Sequence, residues 1–198
     1  MDVASAWKIR NHAKRLIQHG LTFRMTIIVE TSDDPTHARL FHGSREYRCA
    51  IGANGVTDTK REGDQCTPLG DWRLRRVFYR PDRLDAPRTA QPLLALKASL
   101  GWCDDPKDPK HYNRLITLPY EGSHETLWRD DGLYDIVVEL GYNDDPPVPG
   151  LGSAIFMHVA RPDYAPTQGC VALRMDNLRV ILERLKADAV MTIRAPAT

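Results

Sequence analysis

Cys170 lies twelve positions after His158 in the stretch Ile155-Phe-Met-His-Val-Ala-Arg-Pro-Asp-Tyr-Ala-Pro-Thr-Gln-Gly-Cys-Val171. A thiol attacks a carbonyl as thiolate, and a neighbouring imidazole can take its proton. His158 closes an apolar run, Ala154-Ile-Phe-Met157, that reads as a buried strand. Cys170 follows Gly169, which lets the backbone turn sharply and keeps the thiol accessible. Pro162 and Pro166 make the connection a loop rather than a helix. A strand, a rigid loop back and a Gly-Cys entering a second strand would set thiol and imidazole side by side. Spacing alone does not separate a nucleophile from a small buried hydrophobe, nor a base from a structural histidine.

The elements that must position this pair are mostly short strands. Runs rich in Ile, Val, Thr and aromatics predict strands at residues 23–31, 38–41, 47–51, 72–79, 132–140, 154–159, 170–173 and 189–194. One helix is predicted at residues 175–186, with Leu178, Ile181, Leu182 and Leu185 on one face and Asp176 as its cap. A second, amphipathic helix is expected at residues 3–19, stopped by Gly20. Residues 81–120 are rich in Pro, Asp and Lys and read as a long insertion over the sheet, where Trp102, Tyr112 and Asn113 could line a groove or anchor the loop. The pattern is that of a mainly β domain with helical decoration.

Around the Cys/His pair the sequence resembles the L,D-transpeptidase family of YkuD-type peptidoglycan enzymes. The family pattern is a His, a loop, then Ser/Thr-His-Gly-Cys. Here it reads His158, then Thr167-Gln168-Gly169-Cys170. Two positions depart from it: Gln168 replaces the usual His, and Ala172 stands where an Arg or Asn is common, with Arg174 the nearest substitute. The resemblance extends through Ala50-Ile-Gly-Ala-Asn-Gly-Val56, Lys60-Arg-Glu-Gly-Asp64, Thr67-Pro-Leu-Gly-Asp-Trp-Arg-Leu74 and Gly141-Tyr-Asn-Asp-Asp-Pro-Pro147. It implies a β-sandwich catalytic domain over residues 23–198, preceded by a helical appendage at residues 1–22. It also implies Cys170 as acyl-accepting nucleophile and His158 as its base. The backbone amides of Gly169 and Cys170 are candidate oxyanion donors, since glycine permits close backbone approach. Donor and acceptor stem peptides of peptidoglycan are the implied partners, with no metal or cofactor. Arg161, Thr167, Gln168, Arg174, Tyr142, Asn143 and Trp102 are the candidate substrate-binding residues. The departures at Gln168 and Ala172 point to an altered donor, such as an L-Ala to meso-diaminopimelate linkage. A stem-peptide hydrolase and a non-catalytic wall-binding module remain as alternatives.

Composition narrows the classes further. The chain has 198 residues, 42% hydrophobic and 27% charged, which fits one domain, and a monomer is expected. A formal net charge of +1 argues against nucleic acid as partner. No stretch approaches the roughly 20 apolar residues of a membrane span. A wall substrate implies the periplasm or cell envelope, yet Lys8, Arg10, Lys14 and Arg15 interrupt any apolar core of a secretory leader. Of the four cysteines, Cys49 reads as core, and Cys66 and Cys103 are left free to pair or not. His111 and His124 lack metal-ligand spacing.

Overall fold

The structure is a computed structural model that describes residues 26–195. In chain order the strands are β1 (Ile27–Thr31), β2 (His37–His42), β3 (Arg45–Ala50), β4 (Val56–Thr57), β5 (Thr67–Pro68), β6 (Gly70–Tyr79), β7 (Leu93–Ala95), β8 (Leu100–Cys103), β9 (Arg114–Thr117), β10 (His124–Thr126), β11 (Ile136–Leu140), β12 (Phe156–Val159), β13 (Val171–Leu173) and β14 (Val190–Arg194). Among the described residues one helix, α1 (Met175–Arg184), separates the last two.

The predicted strands exist, but the expected sandwich is a closed barrel. Neighbours run β11-β12-β13-β3-β2-β1-β14-β6, and β6 then pairs with β11, so eight strands close on themselves. Closure depends on the ten-residue length of β6, which pairs with β14 through Gly70–Arg73 and with β11 through Leu74–Tyr79. A register shift between Val138 and Leu140 bends β11 at that junction. Two neighbour pairs, β12–β13 and β1–β14, are parallel, and the other six are antiparallel. Alternating strands look alike in a sandwich and a barrel, because both bury one face of each strand.

Two cores follow from that alternation. Ile27, Val29, Leu40, Val77, Val138, Met157 and Leu173 fill the barrel, and Leu178, Ile181 and Leu182 of α1 pack into the same cluster. Their neighbours Phe78, Val137 and Phe156 point the opposite way, into a second cluster with Leu96, Trp102, Leu127, Tyr134 and Cys170. The wall strand β12 is therefore buried on both faces, and His158 lies on the outer face with Phe156.

Three sequence expectations change. Residues 81–120 are not one irregular loop: β7 extends the barrel sheet beside β6, and β8 and β9 form a three-stranded sheet with β10. The predicted strand at 132–140 begins only at Ile136, after a turn in which Asp135 N donates to Gly132 O. The helix starts with Arg174 as N-cap and no side-chain cap, and Asp176 sits inside its first turn, where a carboxylate still favours the N-terminal dipole. The helix expected at residues 3–19 lies outside the described residues.

Leu178 is fully buried between helix and barrel. Leu178→Ala should lower stability by about 2–5 kcal/mol, read from the urea midpoint, whereas a loss below about 1 kcal/mol would show that α1 is not integral to the core.

Candidate active site

β12 and β13 are parallel neighbours, and His158 sits opposite Ala172, two residues after Cys170. The intervening loop returns along the barrel end and is fastened to the segment before β4. Thr167 N donates to Ile51 O, Ala53 N donates to Thr167 O, and Thr167 pairs with Gly52 in a parallel bridge. The turn into β13 is then closed by its own residues: Thr167 Oγ1 donates to Cys170 O at 2.7 Å and accepts from Gly169 N at 3.1 Å. Gly169 has φ +126°, and a Cβ there would lie 2.7 Å from Cys66 O. Only glycine satisfies both the dihedral and the close approach.

The thiol and imidazole are both nearly enclosed, 7% and 6% exposed. Cys170 Sγ donates to Ala154 O at 3.3 Å and accepts from Phe156 N at 3.4 Å. His158 Nδ1 lies 2.9 Å from Val159 O. A carbonyl can only accept, so Nδ1 carries the proton and Nε2 keeps its lone pair. Burial pushes the thiol up to about 12, with the Glu125 charge adding to the shift. Burial pulls the imidazole down to about 4, against the opposing bond to Val159. The pair at rest is neutral thiol and neutral imidazole.

Asn113 anchors the amide of Ala154, the residue whose carbonyl meets the sulfur. Its Oδ1 accepts from Ala154 N at 3.0 Å and from Trp102 Nε1 at 2.9 Å, while Nδ2 donates to Tyr142 O at 2.9 Å and Asn143 O at 2.8 Å. Asn113 is 6% exposed, and Ala154 is kept at φ +51°.

Cys170 and His158 open on a cleft of about 740 Å³, which Arg161, Thr167 and Gln168 also line. Arg161 is half exposed and lies 4.0 Å from Asp131. The other sequence candidates sit elsewhere. Trp102 is buried with its ring edge-on to Phe156 at 5.2 Å. Tyr142 packs on Trp72 and donates to Leu151 O at 2.6 Å. Asn143 knits a turn, donating to Val148 O and Gly152 O and accepting from Val148 N. Arg174 is exposed at the start of α1. Gly169 contributes through the turn, and its amide is already engaged by Thr167.

Sequence reading passed over the opposite wall, drawn from β10 and the segment before β11: Glu125, Arg129, Asp131 and Tyr134. Tyr134 stands edge-on to the His158 ring at 5.2 Å and donates to Glu125 Oε1. Arg129 lies over the Tyr134 ring and grips Asp131. No spacing in that polar stretch marks these residues, and only the fold brings them to the pair. All four cysteines are free, and Cys103 Sγ meets Tyr120 OH rather than Cys66. Among the described residues, no group of three or more His, Cys, Asp or Glu side chains could hold a metal ion.

Two outcomes follow for stability. Gly169→Ala should lose about 1–3 kcal/mol from the forced dihedral and clash, measured by urea denaturation. A lowered histidine pKa means the unfolded chain binds the extra proton between about pH 6.5 and 4, so stability falls as pH falls through that window, by at most about 3 kcal/mol. The unmutated protein should therefore lose more stability from pH 7 to pH 4 than His158→Asn, and equal slopes would contradict a buried neutral imidazole.

Residues 24–193, most of the chain, match the L,D-transpeptidase catalytic domain family (YkuD). Comparison with curated proteins finds no match. Similar solved structures include the K307A mutant of the helical cell shape determining protein Pgp2 from Campylobacter jejuni, at 14% identity and TM-score 0.43, covering 90% of this chain and 50% of that one. L,D-transpeptidase 1 from Mycobacterium tuberculosis aligns at 11% identity and TM-score 0.37, covering 86% of this chain and 62% of that one. The chain thus spans about half the length of Pgp2. With the match running from before β1 through most of β14, this chain belongs to the YkuD family of L,D-transpeptidase catalytic domains.

Proposed function

We propose that the chain is a cysteine acyltransferase that cross-links peptidoglycan stem peptides through a thioester on Cys170. The observation that carries this reading is the enclosed Cys170 and His158 at one cleft, with the imidazole tautomer fixed by Val159 O. The resting S–H bond to Ala154 O is given up as the donor peptide enters, and the proton passes to His158 Nε2. Sulfur then attacks a stem-peptide carbonyl. Gly169 N–H is held by Thr167, which leaves the flanking Gln168 and Cys170 amides to receive the oxyanion. The leaving amine takes the proton from His158, and the thioester remains. An amine from a second stem attacks it, forming the new peptide bond and restoring the thiol. The Val159 carbonyl takes the orienting role that an acidic side chain plays in other triads.

Arg161, Thr167 and Gln168 are the proposed contacts to the donor. The small side chain of Ala172, opposite His158 on the cleft wall, supports a donor other than the usual one, of the L-Ala to meso-diaminopimelate type. Such a substrate puts the site of action in the cell envelope. Residues 23–198 would be the catalytic unit, with the preceding segment an appendage to it.

The test is mass spectrometry of muropeptides bearing tetra- and pentapeptide stems after incubation with the protein. Cross-linked dimers should form, and Cys170→Ala should lower their yield by at least about a thousandfold while leaving the fold intact. Fragmentation of the dimer identifies the donor residue. Shortened monomers alone would replace the transferase with a hydrolase, and undiminished activity in Cys170→Ala would remove the thioester mechanism.

A further inference from the structure

The cleft wall facing the Cys/His pair carries several acidic groups, and most are already satisfied. Asp131 receives both Nε and Nη2 of Arg129 and the Leu133 amide. Glu62 accepts from Ser153 Oγ at 2.7 Å and from Tyr112 OH. Asp130 has 99% of its side chain exposed beside Arg83. Glu125 differs. Tyr134 OH holds one oxygen, Oε1, and Arg129 Nη1 approaches that oxygen only to 3.8 Å because the guanidinium is turned to Asp131. No described residue hydrogen-bonds Oε2, and 27% of the side chain is open. Asp104 lines the same wall, and its Oδ1 is buried with no partner among the described residues. The wall therefore leaves Glu125 Oε2 and Asp104 Oδ1 without a hydrogen-bond donor among the described residues, and Tyr134, which holds the other Glu125 oxygen, touches the His158 ring.

We propose that Glu125 binds the ammonium of the acceptor stem and takes its first proton, so that the thioester meets an amine in preference to water. This rests on the thioester mechanism above. The amine acceptor reaches the cleft as an ammonium ion and cannot attack until one proton leaves. That proton passes to the Glu125 carboxylate and later to solvent. The neutral nitrogen attacks the thioester carbonyl, the C–N bond forms and the C–S bond breaks. The second nitrogen proton passes through His158 to the departing sulfur, which ends as the thiol. Burial, with Asp104 and Asp131 adding to it, raises the Glu125 pKa against the opposing Tyr134 bond and Arg129, which suits a carboxylate that must accept a proton.

The experiment loads Cys170 with a muropeptide donor, counts acyl-enzyme by intact mass, then adds an isotopically labelled muropeptide as acceptor. The ratio of labelled dimer to hydrolysed donor is read on thioester already formed, so effects on acylation drop out. Glu125→Gln, which keeps an acceptor for Tyr134 OH, should lower this ratio at least tenfold and raise the KM for acceptor. Trapping by hydroxylamine, an amine uncharged at pH 7, should not change. Glu125→Asp, which keeps the charge but shortens its reach, should give an intermediate ratio. An unchanged ratio in both variants, or hydroxylamine trapping that falls in step with it, would overturn the proposal and leave the thioester mechanism standing. Absence of any acyl-enzyme on the unmutated protein would overturn both.

Discussion

The parallel pairing of β12 and β13 is the constraint on which the site depends. One face of each strand belongs to the barrel core, where Met157, Val171 and Leu173 are fully buried. That burial fixes the register, because a slip of one residue would turn every side chain to the other face. His158 and Cys170 have no freedom to drift apart while the barrel is closed. Because the strands are parallel, the loop between them must run back and then turn sharply into β13, and it ends in a glycine with φ +126° pressed against the Cys66 carbonyl. Fold stability and the placement of Cys170 next to β12 rest on the same packing.

Burial also sets the chemistry. A thiol held near water would ionise easily and be oxidised easily. Here the sulfur is wrapped by Ala154 O and Phe156 N, in a pocket shaped by Asn113. Burial disfavours the thiolate at rest, and on the proposed mechanism the nucleophile is made only at the moment of attack. The Tyr134 ring and Val159 O brace the imidazole on two sides, and neither adds a charge next to it. The result is a pair whose reactivity depends on what enters the cleft.

The mainly β pattern, the late helix and the strand–loop–strand setting of His158 and Cys170 were legible in the sequence. The His–loop–Gly-Cys spacing survives folding because it is short-range, and the strand and helix periods around it are strong. Barrel closure was not legible, since it depends on β6 pairing on both sides of the sheet over its length, a non-local fact. Trp102, Tyr142 and Asn143 have side chains that could bind a peptide, but the fold uses them for packing and turn closure. Glu125 and Tyr134 went unnoticed because they come from a polar segment without periodicity, and they acquire meaning only from standing opposite His158. The local placement of Cys170 and His158 at one cleft was readable, and the wall brought up from distant sequence was not.

On the proposed mechanism Cys170 reacts because the His158 imidazole lines the same cleft, and not because the thiol is accessible. Incubation with a carbapenem followed by peptide mapping tests this directly, since Cys66 is the more exposed thiol. One covalent adduct is expected, on Cys170, formed at a rate that falls at least about a hundredfold in His158→Ala. Labelling of Cys66 instead, or an unchanged rate on Cys170 without the imidazole, would contradict it.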